Sequence, residues 1–232
     1  MDTFLITCEH GGNRIPAAYR QLFQGQRALL DSHRGYDAGA LVMAKELAGS
    51  CRAPLVASTT SRLLIDLNRS IGHRALFSAA TRATPAETKA RVVEEHYRPY
   101  REQVEGIVKQ AVSLAQRVVH VSSHSFAPEL DGTVRLADVG LLYDPRRRGE
   151  VELCARWRDS LAALAPELRV RRNYPYAGKG DGLTAHMRKR FTEIDYVGIE
   201  LELNQSIVAE GGRRWTGLRR VLVDSFRAVC PP

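Results

Sequence analysis

Short apolar runs of strand length recur along this chain at 3–8, 54–58, 62–67, 117–122, 138–143 and 196–203, and helical periodicity separates several of them. Strands that are apolar almost throughout are buried on both faces. The alternation therefore predicts an α/β fold with helices covering both sides of a sheet. Helices are expected over 37–48, 148–163 and 211–229. A longer amphipathic stretch covers 85–115, opened by Thr84 as N-cap, Pro85 at the first helical position and Glu87 as the capping-box partner. Pro99 lies inside it without an amide hydrogen, so the stretch should kink or split there. At 232 residues, with no internal repeat or linker-like tract, the chain should form a single domain.

Composition narrows the class of protein. Hydrophobic residues make up 44% and charged residues 26%, the balance of a globular chain. No apolar run approaches the ~18 residues of a membrane span, and the first residues lack a basic region followed by an apolar core. Cys8, Cys51, Cys154 and Cys230 have neither metal-knuckle nor disulfide-framework spacing. Together these predict a cytoplasmic chain with reduced thiols and no membrane contact. The net charge is +8, with arginine clusters such as Arg146-Arg147-Arg148 and Arg188-Lys189-Arg190. Such a surplus attracts nucleic acid or steers small anions into a cleft. No nucleic-acid motif or aromatic interleaving accompanies it, so a small anionic substrate is the expected partner.

Several apolar runs end abruptly in polar residues. After Phe4-Leu5-Ile6, Gly11-Gly12 forbid the strand to continue, which delivers Glu9, His10 and Asn13 to the carboxyl edge of the sheet. Val118 to Val121 ends likewise in Ser122-Ser-His-Ser, bringing His124 to the same edge. Two histidines at two strand ends, with acids nearby, suit tetrahedral zinc with an open position. His120, in mid-strand, reads as a hydrogen-bonded core histidine, and Cys8 as buried packing. The serines sit in no Gly-x-Ser-x-Gly elbow, which argues against a serine nucleophile.

Three further clusters add chemistry. Asp66-Leu-Asn-Arg69 is polar where a buried strand should be apolar. Arg69 offers a rigid fork for a carboxylate, Asn68 another donor, and Arg62 stands close in sequence; an Asp66 ion pair with Arg62 or Arg69 is the structural reading. Glu200 and Glu202 share one face of an otherwise apolar strand, where a buried carboxylate is costly unless it binds metal, pairs or keeps its proton. The glycine-dense loop Asn173-Tyr-Pro-Tyr-Ala-Gly-Lys-Gly-Asp-Gly-Leu183 lacks phosphate-loop spacing and reads as a substrate wall or lid, with Tyr176 and Asp181 as candidate contacts.

Taken in order, these clusters resemble the N-formylglutamate amidohydrolase family. The likeness runs from Cys8-Glu-His-Gly-Gly-Asn-Arg-Ile-Pro16 through Ser61-Arg-Leu-Leu-Ile-Asp-Leu-Asn-Arg69, His124-Ser-Phe126, Gly140-Leu-Leu-Tyr-Asp-Pro145 and Asn173-Tyr-Pro-Tyr-Ala-Gly178 to Gly198-Ile-Glu-Leu-Glu-Leu-Asn-Gln205. The resemblance implies a zinc carboxypeptidase-like, three-layer fold: a mixed, largely parallel twisted sheet between helices. Zinc carboxypeptidases and aspartoacylase-like deacylases use a His-x-x-Glu pair, an Asn-Arg dipeptide, a later His and a late Glu. This chain is similar at His10, Asn68-Arg69, His124 and Glu200. It departs at the third residue after His10, which is Asn13, and an amide oxygen is a weaker zinc ligand than a carboxylate. Asn13, Glu9 and Asp37 therefore stand as candidates for the third ligand, Asp37 also having the look of a helix N-cap.

The resemblance implies a metal-dependent amidohydrolase that cleaves the C–N bond of a small N-acyl amino acid in amino-acid catabolism, with N-formyl-L-glutamate as reference substrate. A divalent cation, Zn2+ by this reading, would sit on His10, His124 and the third ligand. Glu200 would be the general base, with Glu202 the alternative on the same strand face. Arg69, with Asn68 and Arg62, would clamp a substrate carboxylate. The rival expectation is a metal-free anion-binding protein of the same fold that has lost catalysis.

Overall fold

The computed structural model describes residues 2–230. Six strands form the main sheet in the order β2-β1-β3-β8-β6-β7. They are β1 (Asp2–Cys8), β2 (Leu55–Ala57), β3 (Arg117–Phe126), β6 (Val139–Leu142), β7 (Val170–Arg172) and β8 (Tyr196–Asn204), and a ribbon of β4 (Glu129–Leu130) and β5 (Thr133–Val134) stands apart. β2, β1, β3 and β8 are mutually parallel, whereas β6 runs antiparallel to β8 and parallel to β7. This is the mixed, largely parallel sheet that the resemblance implies.

Helices cover both faces. On one side α2 (Ala40–Cys51), α6 (Arg148–Leu164) and α9 (Gly212–Val229) pack on Phe4, Ile6, Val119, Val121, Ile199 and Leu201. Buried Leu153, Trp157 and Leu161 of α6, and Leu218, Leu222 and Phe226 of α9, recur every four residues, the stripe a helix needs to seat on a sheet. On the other side α5 (Arg98–Ser113) lays Tyr100, Val104 and Val108 over Leu5, Val118 and Tyr196. The shorter α1 (Arg27–Leu30), α3 (Ala79–Arg82), α4 (Ala86–Val92), α7 (Leu183–Arg190) and α8 (Gln205–Glu210) fill the connections.

Two expectations are corrected and one is met. The run 62–67 is not a strand: Leu64 turns back to bond Ser61, and Asp66 bonds Leu76. Its apolar side chains Leu63, Leu64, Ile65 and Leu67 are nonetheless buried, so an apolar run here records burial and not pairing. The 85–115 stretch divides into two helices as expected, α4 and α5, joined by a wide turn at Val93–Tyr97 that leaves Pro99 in the first turn of α5, where a missing amide is tolerated. Thr84 is not the cap of α4; its hydroxyl donates to the Thr81 carbonyl, and Pro85 takes the capping position. No helix among the described residues is long and apolar enough to cross a membrane.

The face under α5 is apolar near the amino ends of β1 and β3 and polar toward their carboxyl ends. His120 is one step along it, bonded to Thr7 Oγ1 at 2.8 Å and Tyr196 OH at 2.6 Å, a satisfied core histidine. Beyond it lie Ser122, His124, Glu200 and Glu202, with β3 and β8 aligning Ser122 opposite Glu200 and His124 opposite Glu202.

Candidate active site

Two glycines set the entrance. A Cβ on Gly11 would stand 2.8 Å from the Ser58 carbonyl oxygen, and one on Gly12 2.8 Å from that of Thr59, so only glycine lets this segment press onto 58–60. The press leaves Glu9 and His10 turned inward at the end of β1. Asp37 joins them because its amide donates to the His10 carbonyl at 2.9 Å, just ahead of α2. Its side chain caps no helix; Gly39 holds the capping position of α2. β3 supplies His124.

The ligating atoms of His10, Asp37 and His124, all buried, lie within 4.8 Å of one another. His10 Nδ1 is 3.3 Å and His124 Nδ1 2.9 Å from the same oxygen, Asp37 Oδ2. The opposite ring nitrogens are both committed: His10 Nε2 to Asp66 Oδ1 at 2.7 Å and His124 Nε2 to Glu9 Oε2 at 2.9 Å. Ser122 and Tyr100 donate to Glu9 in turn. Arg62 ties Asp66 to Asp37 through its two arms. An imidazole that gives its Nε2 hydrogen to a carboxylate presents the Nδ1 lone pair, the arrangement that orients metal-bound histidines. Two such nitrogens and one carboxylate oxygen are a donor set that could hold a divalent cation.

Electrostatics agree. Burial opposes ionisation of Asp37, Asp66 and Glu9, but the imidazoles, with Arg62 on the two aspartates, outweigh it and hold all three carboxyls well below the usual range. Burial likewise opposes charge on His124, and hydrogen bonds to Asp37 and Glu9 push its pKa well above an ordinary imidazole. The three carboxylates of the pocket are thus held ionised by the cationic groups around them.

Glu200 and Glu202 differ sharply. Glu200 Oε1 accepts the Thr184 hydroxyl of α7 at 2.7 Å. Glu202 is buried with Oε2 unpartnered. Desolvation, only partly offset by His124 and reinforced by Asp37 and Glu200, raises its pKa to about 8 from 4.5. Between those values the folded chain holds a proton that the unfolded chain releases. The contribution to stability is complete below pH 4.5 and is lost as pH rises through about 8. Glu202→Gln fixes the neutral shape. In metal-free protein it should melt near the parent at pH 5 and several degrees above it at pH 8, at ~2–4 °C per kcal/mol. Thermal unfolding across that range checks this, and a gap that does not widen contradicts it.

Both glutamates, the three candidate ligands, Asn68 and Arg69 line one cavity of about 250 Å³. Arg69 Nη1 donates to the Asp181 carbonyl at 2.6 Å while its buried Nε has no partner. Asn68 Oδ1 accepts from the Leu183 amide at 2.6 Å. The other residues the sequence singles out are placed less simply. Arg62 reaches the cavity with its fork spent on Asp37 and Asp66. Asp181 is a clasp, its carboxylate bonded to the Ser70 amide and hydroxyl. Tyr176 stands at the rim over Arg135. Asn13 is not brought to the cluster: after Gly12 the chain bridges to Thr60, so the third residue past His10 does not return as it would in a helical turn, and its amide donates to Asp31 at 2.7 Å. Glu9 sits behind His124 and not beside the other two ligands. Sequence reasoning missed Tyr100, Ser122 and Thr184 as supports, and read Asp66 only as an ion-pair partner.

With this geometry in view, the sequence model of the N-formylglutamate amidohydrolase family matches residues 2–208. Among solved structures, the chain resembles a gene product of Agrobacterium tumefaciens with 26% identity and a TM-score of 0.78, over 97% of this chain and 91% of that one. It also resembles the N-formylglutamate amidohydrolase of Ralstonia eutropha with 18% identity and a TM-score of 0.70, over 97% and 92% of the two chains, a likeness of fold. No curated protein matches the sequence.

Proposed function

The chain belongs to the N-formylglutamate amidohydrolase family, and we propose that it hydrolyses the C–N amide bond of a small N-acyl amino acid with the help of a divalent cation, Zn2+, held by His10, Asp37 and His124. N-Formyl-L-glutamate is the reference substrate, with formate and L-glutamate as products. The observation that carries this reading is the convergence of two histidine Nδ1 atoms on Asp37, each ring fixed from behind by a buried carboxylate, next to an unpartnered buried carboxyl.

When bound, the cation supplies Lewis acidity, which brings the pKa of water from 15.7 to roughly 7 and polarises the amide carbonyl. The chain's own groups do the rest. Glu202 takes a proton from the attacking water and returns it to the departing amine nitrogen. Glu9 and Asp66 hold the imidazoles in one tautomer and one orientation. Arg69, whose Nε still lacks a partner, takes the amino-acid carboxylate together with Asn68. A metal-free anion-binding role drew its support from Asn13 in a ligand position, and Asp37 stands there instead.

Metal analysis coupled to formate release from N-formyl-L-glutamate tests the proposal. About one divalent ion per chain and chelator-sensitive release are expected, and full activity in metal-stripped protein overturns it. Arg69→Lys keeps the charge and loses the fork. It should lower kcat/KM by roughly 10- to 10²-fold, the weight of one charge-assisted bidentate contact. An analogue with its carboxylate amidated should lose far less. Equal losses would make Arg69 a structural support of the Asp181 loop.

A further inference from the structure

A second cavity of about 520 Å³ adjoins the first, with Arg62, Ser125 and Tyr176 as their common wall. Arg34, Arg82 and Arg135 line it, and among the described residues none of the three is in an ion pair. The one carboxylate among its described lining residues, Asp66, is already shared between Arg62 and His10. Arg82 is held by the carbonyls of Arg74 and Phe77. Arg135 is held under the Tyr176 ring, 4.9 Å from its centre, and donates to its hydroxyl at 2.9 Å. The side chains of Phe77 and Phe126 line the same cavity. Guanidinium groups without carboxylate partners, together with apolar lining residues, suit a short aliphatic chain that ends in an anion.

Resting on the amidohydrolase reading and deepening it, we propose that this outer cleft is an anion subsite for the acyl half of the substrate, and that the preferred acyl group is a short aliphatic chain ending in a carboxylate. Arg69 lies in the inner cavity and not in the outer one. With the whole amino-acid half, side chain included, held in the inner cavity by Arg69 and Asn68, the outer cleft past Arg62, Ser125 and Tyr176 is left for the substituent on the acyl carbon. A formyl group carries only hydrogen there and leaves the cleft unfilled. The reaction balances without another reactant: water gives its hydroxyl to the acyl carbon and a proton to the amine nitrogen, the C–N bond breaks, and a dicarboxylate leaves with the free amino acid.

Steady-state kinetics on the metal-loaded protein with N-formyl-, N-succinyl- and N-butanoyl-L-glutamate test this. The succinyl compound should exceed the uncharged butanoyl compound in kcat/KM by tenfold or more, mainly through KM. The Arg34→Ala/Arg82→Ala variant should erase that preference and leave N-formyl turnover unchanged. Arg34→Glu gives the same test by charge reversal should loss of Arg82 loosen 74–82. Succinyl and butanoyl compounds cleaved alike, or N-formyl turnover falling with the arginines, overturns the subsite and leaves the amidohydrolase reading standing. Hydrolysis of none of the three overturns both.

Discussion

Asp37→Ala is expected to purify without metal and to lose at least about 10³-fold in activity, whereas Asn13→Ala should keep both. Asp37 Oδ2 is the only oxygen within reach of both histidine Nδ1 atoms among the described ligand candidates. Without it two imidazole nitrogens remain, too few to hold a dication, and the Lewis acidity worth several kcal/mol is forfeited, at about 1.4 kcal/mol per tenfold in rate. Asn13 bonds Asp31 away from the cavity, so its truncation removes one surface contact. Metal content per chain and formate release, measured on both variants beside the parent, check the assignment. Metal retained by Asp37→Ala, or lost from Asn13→Ala, reverses it. Asp37→Asn separates charge from shape: it should fold as the parent does and still bind metal poorly.

What the sequence makes legible follows from where its signals are local. His10 and His124 each terminate an apolar run, and strand ends in a largely parallel sheet fall on one edge, so their meeting follows from β1 and β3 being neighbours. Asp37 has no such signal. It lies 27 residues from His10, and long-range bonds bring it in: its own amide to the His10 carbonyl, and the Arg62 amide and Ser61 hydroxyl to the Gly35 carbonyl. The run at 62–67 shows the limit of apolar patterning: Leu64 and Ile65 are as buried as any strand residue, yet the segment folds back on itself and uses Asp66 to hold His10. The edge strand β7 leaves no mark in the sequence, because Val-Arg-Arg carries no apolar alternation. Tyr100 supports Glu9 from a helix whose sequence signals only core packing.

The choice between the two glutamates is where structure adds most, because strand alternation cannot separate residues two apart. The resemblance points to Glu200; the geometry favours Glu202 as the general base. Glu200 is held by Thr184, with Gly182 so near that a Cβ there would stand 3.1 Å from its Oε1, so it anchors the 180–184 segment over the cavity. Glu202 faces His124 across the strands, has a buried oxygen with no partner, and carries a pKa already moved toward neutrality by desolvation. A base of that kind is matched to proton transfer near neutral pH. Glu202→Gln should therefore lose about 10²- to 10⁴-fold in kcat, with metal content and KM near the parent's, since Gln keeps the shape but accepts no proton. The acid limb of the pH–rate profile should vanish with it. Glu200→Gln should cost less than about tenfold and act chiefly on KM, by loosening the wall that Thr184 holds. Should Glu200→Gln erase the acid limb while Glu202→Gln retains it, the two carboxylates exchange roles and Glu202 becomes the group that lines the pocket.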